Sequence, residues 1–389
     1  MKQPIKKKIL ETHNISREPT IRTLLFDMNS VMKMAMVDDR FGNNGKQCGM
    51  IFQTLIVFKR LLALRDWNFV YAMYDGEQSG VLRYNFYPQY KANRGKHYVG
   101  DNDLKSDYDK ALDEYCRKVL AYSKNKQSFK EKARNETEEE SFERQREILF
   151  AILENLFIRQ IICDKVEGDD LIAMYVKNKK PNEKICIVSG DRDLTQLIND
   201  DVCIYITQTR DIITKENHLK KMGFTHENVA LKKIFCGDAS DNIFGIKGLG
   251  ETSFFKFFPE AKEEKKTIGD IIERAKLLNE ERVKEKKKPL QVLENIANHI
   301  TLGCQGDKIY EVNDRLINLN EPLLTKEAKE ELEMMSYAPL DPEGREFKNV
   351  FRILQEEGMT NLIQEEQFGN FFSQFKQLVE NEKRYFTGN

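Results

Sequence analysis

The chain has 389 residues, of which 40% are hydrophobic and 32% are charged, and its formal net charge is −1. These values indicate a globular protein long enough for one large domain or two to three smaller ones. No stretch approaches the roughly 18 consecutive apolar residues of a membrane-spanning helix, and the polar start lacks the apolar core of a signal peptide. We therefore expect a cytoplasmic protein without membrane contact. The seven cysteines show no CxxC spacing, which favours reduced thiols over zinc or disulfide bonds.

Apolar runs in the first half of the chain alternate with stretches of helical spacing. The predicted strands are 23–26, 69–74, 159–163, 184–189 and 202–207. Apolar residues at helical spacing over 50–64 and 147–156 predict helices between them. This order predicts an α/β fold with a parallel central sheet that helices cover on both faces.

Beyond about residue 224 the pattern becomes helical throughout. Helices are predicted at 228–235, 240–244 and 252–258, followed by a highly charged stretch over 260–288. We divide the chain into a flexible N-terminal arm (1–20), an α/β domain (21–223), a helical region (224–330) and a C-terminal helical region (331–389).

Acidic residues follow three of the predicted strands. Asp27 and Asp75 each end a strand, and Asp191 and Asp193 follow a third. The carboxyl ends of parallel strands share one edge of a sheet, where the functional crevice of such folds lies. Further acids are Glu167, Asp169 and Asp170, which open a predicted helix, and Asp238 and Asp241, which are predicted to share a helical face. The sequence therefore predicts nine acids at one edge of the sheet.

So many carboxylates cannot stay ionised together without cations, because each desolvated pair of like charges raises pKa values. Oxygen ligands without histidine or thiolate select a hard ion such as Mg²⁺ or Mn²⁺ over zinc. Two such ions about 4 Å apart activate water and stabilise the leaving oxygen in phosphodiester hydrolysis. A single acid after a strand is more often a turn or capping residue, so the prediction rests on the joint pattern.

Several motifs carry a family resemblance: FDMN at Asp27, YDG followed by LRYNFYPQYKANR, VEGDDLIA, SGDRDLTQLI and CGDASDNIFGIKGLGETS. In order and spacing they resemble those of the 5′-nuclease superfamily of flap endonucleases and 5′-3′ exonucleases, most closely its compact bacteriophage members. The resemblance covers roughly residues 22–255. It implies a PIN/5′-nuclease-like fold with a helical arch at about 93–140. The implied function is a metal-dependent 5′-nuclease in phage DNA replication or repair, acting as a 5′-3′ exonuclease, as a flap endonuclease or in RNA primer removal.

The resemblance also implies roles for individual acids. It assigns one metal ion to Asp27, Asp75, Glu167, Asp169 and Asp191, and a second to Asp193, Asp238 and Asp241, with Asp170 in support. The implied cofactors are two Mg²⁺ ions, for which Mn²⁺ substitutes. The chain departs from the family at Gly168, where alanine is usual.

Basic and aromatic residues are implied to hold nucleic acid. Lys91 and Arg94 would face the scissile phosphate and stabilise its transition-state charge. The same motif contributes Arg83 and Tyr90 to nucleic-acid binding, whereas Lys33 lies one position short of the basic residue typical of the family. The basic arch segment, with interleaved aromatic residues, would contact phosphates and stack on unpaired bases.

A glycine-rich turn follows Asp241. Gly245, Lys247, Gly248 and Gly250 lie between two predicted helices. By resemblance this helix–turn–helix element contacts duplex phosphates without reading sequence and binds a potassium ion. The expected partners are DNA with a 5′ flap, nick or RNA primer and a single-strand-binding or other replication protein at the C-terminal helices. The protein is expected to be a monomer.

Two other functions are compatible with parts of the pattern. A strand ending in Asp27 is also found in haloacid-dehalogenase-type phosphatases, but those have a second aspartate two residues later, where this chain has Asn29. A non-catalytic protein that binds nucleic-acid structures would use the acids only for a structural ion. A PIN-type ribonuclease shares the chemistry, but the glycine turn favours duplex DNA. No Walker phosphate loop is present, so no ATP is implied.

Overall fold

The structure, a computed structural model, describes residues 20–94, 136–361, 363 and 365–388. Its centre is a six-stranded sheet in the order β3-β2-β1-β4-β5-β6. The strands are β1 (Ile21–Asp27), β2 (Phe69–Asp75), β3 (Arg159–Cys163), β4 (Glu183–Ser189), β5 (Val202–Ile206) and β6 (Asp211–Ile213). The first five run parallel, and β6 pairs antiparallel with β5. The predicted parallel sheet is confirmed, with one antiparallel edge strand added.

Helices pack on both faces of the sheet. Those of the first half are α1 (Met28–Ala35), α2 (Gly49–Leu62), α3 (Val81–Tyr84), α4 (Glu138–Asn155), α5 (Gly168–Lys177) and α6 (Lys215–Met222). One apolar core joins the sheet to α1, α2 and α4, and the other joins it to α5. Since both faces are covered, the strands read as continuous apolar runs, and this is why the sequence could predict them.

The second half is helical, apart from a two-stranded hairpin. Its elements are α7 (Val229–Cys236), β7 (Gly237–Asp238), β8 (Ile243–Phe244), α8 (Glu251–Phe257), α9 (Ile268–Lys284), α10 (Gln291–Ala297), α11 (Ile309–Ile317), α12 (Lys326–Met335), α13 (Phe347–Glu356), α14 (Glu365–Phe371) and α15 (Ser373–Thr387). A third core, which includes Phe235, Phe254 and Phe258, holds the region from α7 to α11 together.

One element prediction that concerns the site is wrong. The segment 240–244 is not a helix: a 3-10 turn at Ala239–Asp241 leads into β8, and the hairpin is β7–β8. Asp238 and Asp241 therefore do not share a helical face. The cause is Gly237, whose φ of +78° ends α7 and whose added Cβ would lie 2.5 Å from the backbone nitrogen of Gly245. Such close strand approach requires glycine.

The N-terminal arm, up to residue 19, and the central part of the predicted arch, 95–135, lie outside the described residues. The end of that predicted segment belongs to α4, which begins nine residues earlier than the predicted helix at 147–156. Thr137 caps α4 in a capping box with Glu140. Among the described helices, none has the length and apolar character to cross a bilayer.

The C-terminal helix α15 is fastened to the sheet by a buried ion pair. Arg159, at the start of β3, donates to both carboxylate oxygens of Glu382 over 2.7 and 2.6 Å. The two side chains are 3% and 10% exposed. Arg159 also donates to the carbonyl oxygen of Ala338 and lies over the ring of Phe69. The last helix is therefore part of the folded domain.

We expect Glu382→Ala to lower the free energy of unfolding by about 3 kcal/mol, because it leaves the buried Arg159 guanidinium without its counter-charge. Urea denaturation followed by circular dichroism measures this change. The control is Glu380→Ala on the exposed side of the same helix, which should change stability by less than about 0.5 kcal/mol. Equal losses in the two variants would contradict the role of the ion pair.

Candidate active site at the carboxyl edge of the sheet

An open cleft of about 670 Å³ lies at the carboxyl ends of β1, β2 and β4. We call it the acidic cleft. Seven of the nine predicted acids line it: Asp27, Asp75, Glu167, Asp169, Asp191, Asp193 and Asp241. The eighth, Asp238, is hydrogen-bonded beside it, and the ninth, Asp170, is buried beneath it. The structure thus brings together the acids that the sequence predicted to converge.

Ser189 connects the acids of β1 and β4. Its hydroxyl donates to Asp27 Oδ2 over 2.6 Å and accepts from the backbone N–H of Asp191 over 2.8 Å. Ser30 fixes the same turn, since its hydroxyl accepts from the N–H of Gly190 over 2.8 Å. Burial, with Asp75 and Asp191 nearby, raises the pKa of Asp27 to about 6. A neighbouring cation would remove this cost.

Asp75 connects β2 to the start of α5. Its Oδ1 accepts from the N–H of Gly168 over 2.8 Å, so it occupies the positive end of the helix. An added Cβ on Gly168 would lie 3.3 Å from the backbone carbonyl carbon of Tyr74 and 3.4 Å from Asp75 Oδ1, so alanine would need a shift of a few tenths of an ångström here. The following residue, Gly76, packs against the backbone of β3: an added Cβ there would lie 1.9 Å from the carbonyl oxygen of Cys163.

Glu167 is held by three donors. Arg83 Nη1 donates to its Oε2 over 2.5 Å, the Tyr90 hydroxyl donates over 2.9 Å, and Lys91 Nζ donates to its Oε1. Burial by itself would raise the pKa of Glu167, but Arg83 and Lys91 outweigh burial and lower it to about 2. Glu167 is therefore ionised over the whole physiological range.

Arg83 also holds Asp170, which is 1% exposed. Its guanidinium donates to both carboxylate oxygens, and the N–H of Leu323 donates to Oδ1 over 2.9 Å. The prediction that Arg83 and Tyr90 contact nucleic acid is wrong for these positions, because both side chains are buried, at 4% and 3% exposure, under the cleft. They support the acids instead.

Asp169 faces the cleft beside these buried groups. One carboxylate oxygen from each of Glu167, Asp169 and Asp170 lies within 4.8 Å of the others. Burial, with Asp170 and Glu167 nearby, raises the pKa of Asp169 well above its usual value. Arg83 engages both Asp170 and Glu167, so Asp169 is the member of this cluster that is best placed to offer an oxygen to a cation, and Glu167 would offer its Oε1 if Lys91 moved away.

Lys233 of α7 connects two further acids. Its ammonium donates to Asp193 and, over 2.7 Å, to Asp238 Oδ2. Burial and the nearby Asp191 raise the pKa of Asp193 to about 6 despite this lysine. The Ser240 hydroxyl donates to Asp238 Oδ1 over 2.6 Å. The hairpin that carries Asp238 is thereby attached to the acidic cleft.

Lys91 reaches the cleft from a strained backbone. Its φ is +54°, a conformation that residues other than glycine rarely adopt. Its N–H donates to the carbonyl oxygen of Asp241 over 2.9 Å, which joins the two motifs. Lys33 is exposed and lines the same cleft. Arg94 lies in a 3-10 turn at Ala92–Arg94, and its side chain is outside the described set.

The glycine turn lies between β8 and α8. Lys247, Gly248 and Gly250 are exposed, and Gly248 has a φ of +83°. The turn is fixed from behind by Asn295 Nδ2, which donates to the carbonyl oxygen of Lys247 over 2.9 Å, and by Thr301. A hairpin rather than a helix precedes it, so the predicted helix–turn–helix is not confirmed.

Sequence reasoning missed Ser189, Ser30 and Lys233. Ser30 lies three residues after Asp27 and Ser189 lies two residues before Asp191. This short spacing could have indicated that the two serines contact the acids. No feature of the sequence indicated Lys233, because a lysine on an amphipathic helix normally points to solvent. Only the packing of α7 against the 3-10 turn at Asp193–Leu197 brings it to Asp193 and Asp238.

Residues 22–223 match the family model of the 5′-3′ exonuclease N-terminal, resolvase-like domain, which is more than half of the chain. The chain belongs to the 5′-3′ exonuclease family. A 5′-3′ exonuclease of Bacillus subtilis is 29% identical over 157 residues, which cover 39% of this chain and 52% of the relative. DNA polymerase I of the same organism is 29% identical over 159 residues, 37% of this chain and 18% of the relative. The chain thus matches about half or less of the length of these relatives.

Two solved structures have a similar fold. The bacteriophage T5 flap endonuclease, in a complex with DNA and metal ions, aligns with a TM-score of 0.54 at 15% identity. The alignment covers 92% of this chain and 99% of that one. The T5 5′-exonuclease with bound zinc aligns with a TM-score of 0.52 at 16% identity, covering 86% and 98% of the two chains. The predicted 5′-nuclease fold is confirmed.

We expect Arg83→Gln to lower the free energy of unfolding by about 3 kcal/mol at neutral pH, because Glu167 and Asp170 would stay buried without their common counter-charge. Urea denaturation in the absence of divalent ions measures the change. Arg352→Gln, on the exposed side of α13, is the matched control and should be close to neutral. An unchanged midpoint for Arg83→Gln would show that the acids do not depend on this arginine.

Proposed function

We propose that this protein is a divalent-metal-dependent 5′-nuclease that hydrolyses phosphodiester bonds near the 5′ end of DNA or of RNA paired with DNA. The observation that carries the proposal is the convergence of acids from separate segments on one cleft, beside a lysine. The fold and the names of relatives agree with this chemistry.

The residues of the acidic cleft fit hard divalent cations. Among the described residues that line it there is no histidine or cysteine, and carboxylate oxygens are the ligands that Mg²⁺ and Mn²⁺ prefer. Burial and neighbouring carboxylates raise the pKa values of Asp27, Asp169 and Asp193, and a cation in the cleft would lower the cost of ionising them. When bound, two such ions supply an activated water and stabilise the leaving oxygen. One would be held by Asp27, Asp75, Glu167, Asp169 and Asp191, and the other by Asp193, Asp238 and Asp241.

The chain's own residues have separate tasks in this proposal. Ser189 and Gly168 fix the orientation of Asp27 and Asp75, so the ligands are positioned before substrate arrives. Arg83 forms ion pairs with Glu167 and Asp170 from below and, with Lys91, lowers the pKa of Glu167. Lys91, already in the cleft, would exchange part of its contact with Glu167 for the scissile phosphate and stabilise charge there. Arg94 and Lys33 are proposed to contact the same strand.

The glycine turn would hold the duplex part of the substrate. Its exposed backbone at Lys247 and Gly248 allows close approach of a phosphate, and such contacts are independent of sequence. A potassium ion at this turn and a replication protein at the C-terminal helices remain predictions. The T5 flap endonuclease with a similar fold was solved with DNA and metal ions, which supports the substrate class proposed for this chain.

The proposal is tested by incubating the protein with three labelled substrates: a 5′ flap, a nicked duplex and an RNA-primed duplex. Reactions with Mg²⁺, with Mn²⁺ and with a chelator establish the metal requirement. Replacing K⁺ by Na⁺ at constant ionic strength tests the predicted potassium site at the glycine turn. Cleavage of none of the three substrates with either metal would refute the nuclease function. Metal-independent binding without cleavage would instead favour the non-catalytic alternative, and a covalent phosphoenzyme would favour the phosphatase.

Asp75→Asn and Asp191→Asn should each abolish detectable cleavage, because each removes a charged ligand while keeping the shape of the side chain. Binding to the 5′ flap in Ca²⁺, measured by fluorescence anisotropy, should change less than about threefold. The control is Asp66→Asn, an exposed aspartate in the turn before β2, at the opposite edge of the sheet. Full activity in the two cleft variants would overthrow the site assignment.

Lys91→Ala should lower the single-turnover cleavage rate by about a hundredfold, because it removes a cation beside the developing phosphate charge. Quenched-flow measurement at saturating enzyme separates this step from substrate binding. Lys46→Ala, a partly exposed lysine in the loop before α2, serves as the control. A change in affinity alone, with the single-turnover rate unaltered, would mean that Lys91 only binds DNA.

A further inference from the structure

A second pocket lies at the opposite edge of the sheet, at the amino ends of β1, β4 and β5. Its lining includes Arg22, Arg65, Trp67, Lys184, Cys203 and Thr214. The space open to small groups is about 90 Å³, compared with roughly 30 Å³ for one water molecule in the liquid. Strands of seven residues separate this pocket from the acidic cleft by roughly 20 Å. It is therefore independent of the proposed nuclease site.

Two arginines of this pocket lack counter-charges. Arg22 is the second residue of β1, and Arg65 lies in the turn after α2. Within the described ranges, neither side chain forms an ion pair, and the Nε of Arg65 is buried without a hydrogen-bond partner. Burial and the neighbouring Arg22 lower the pKa of Arg65. Two close guanidinium groups with an unsatisfied buried N–H are costly unless an anion joins them.

The acids of the pocket are already engaged elsewhere. Asp201 accepts from both Lys179 and Lys184, and Asp200 accepts from Lys215 over 2.9 Å. The hydroxyl of Thr214 donates to Glu216. None of these carboxylates is paired with Arg22 or Arg65. Neither arginine therefore has an ion-pair partner among the described residues that line the pocket.

We propose that this pocket binds a small tetrahedral oxyanion, inorganic phosphate or the phosphate end of a phosphomonoester, between Arg22 and Arg65. The guanidinium fork matches the oxygen geometry of phosphate and donates two parallel hydrogen bonds. The free space admits such a group but not the base of a nucleotide, which would remain outside. The apolar wall, formed by Ile185, Val202 and Ile212, strengthens the electrostatic interaction by excluding water.

Cys203 provides a local probe of the pocket. It lines the pocket, is partly exposed and carries a free thiol near Arg65. A bound oxyanion would shield this thiol from an alkylating reagent. At a phosphate concentration ten times its Kd, only about one protein in eleven is unoccupied, so alkylation of Cys203 should slow by about tenfold.

The experiment uses the full chain with a chelator present, so that the acidic cleft holds no metal that could bind phosphate. Thermal unfolding and the rate of Cys203 alkylation, followed by peptide mass spectrometry, are measured with inorganic phosphate, with deoxyadenosine 5′-monophosphate and with NaCl at matched ionic strength. Phosphate should raise the unfolding midpoint and protect Cys203, whereas NaCl should do neither. Protection by the nucleotide as well would identify the esterified group as a ligand, and protection by phosphate alone would identify the free ion.

Substitutions of individual arginines test whether the phosphate response arises in this pocket. Arg22→Gln and Arg65→Gln should lose both responses, and Arg65→Lys, which keeps the charge but not the fork, should retain a weaker one. Arg146→Gln, an exposed arginine paired with Glu143 on α4, should respond like the unaltered protein. No midpoint shift with phosphate, an equal shift with NaCl, or full protection in both glutamine variants would overturn the proposal. Because none of these residues lines the acidic cleft, failure here would leave the nuclease proposal untouched.

Discussion

Like-charge repulsion at one edge of the sheet is the constraint on which the functional part of this structure depends. Parallel strands end together, so the acids that terminate β1, β2 and β4 cannot avoid one another. The chain offsets part of this repulsion with cations placed behind and beside the acids: Arg83 below Glu167 and Asp170, Lys91 at the front, and Lys233 between Asp193 and Asp238. The charge that remains is what would attract divalent ions.

These cations differ in how they can respond to ligands. Arg83 is 4% exposed and makes bidentate contact with Asp170, so it is a fixed part of the fold. Lys91 and Lys233 have long, partly exposed side chains, which can change rotamer without disrupting the fold. We infer a division between a permanent counter-charge, which keeps the protein folded without metal, and mobile counter-charges, which yield to metal or substrate.

The two edges of the sheet present opposite electrostatic problems. At the carboxyl edge the acids that line the cleft outnumber the cations that line it, whereas at the amino edge two arginines have no ion-pair partner within the described part of the chain. At the amino edge Arg22 lies in β1 and Arg65 lies in the turn that follows α2. Strand β1 therefore contributes a residue to each site, Arg22 at its start and Asp27 at its end. The buried pair of Arg159 and Glu382 attaches α15 to the sheet, and neither residue lines either pocket.

The sequence by itself determined the five parallel strands, the order of the acids along the chain and their common edge, because buried parallel strands read as apolar runs and their ends are marked by Asp27, Asp75 and Asp191. It did not predict the short antiparallel edge strand β6. It could not determine that Arg83 and Tyr90 lie under the cleft, since a basic aromatic motif has the same letters whether it faces DNA or a buried carboxylate. Nor could it place Lys233, which meets Asp238 only through the packing of α7 and the β7–β8 hairpin. Local sequence encodes periodicity and chain order. Which charges become neighbours is decided by contacts between residues distant in sequence, and those exist only in the folded chain.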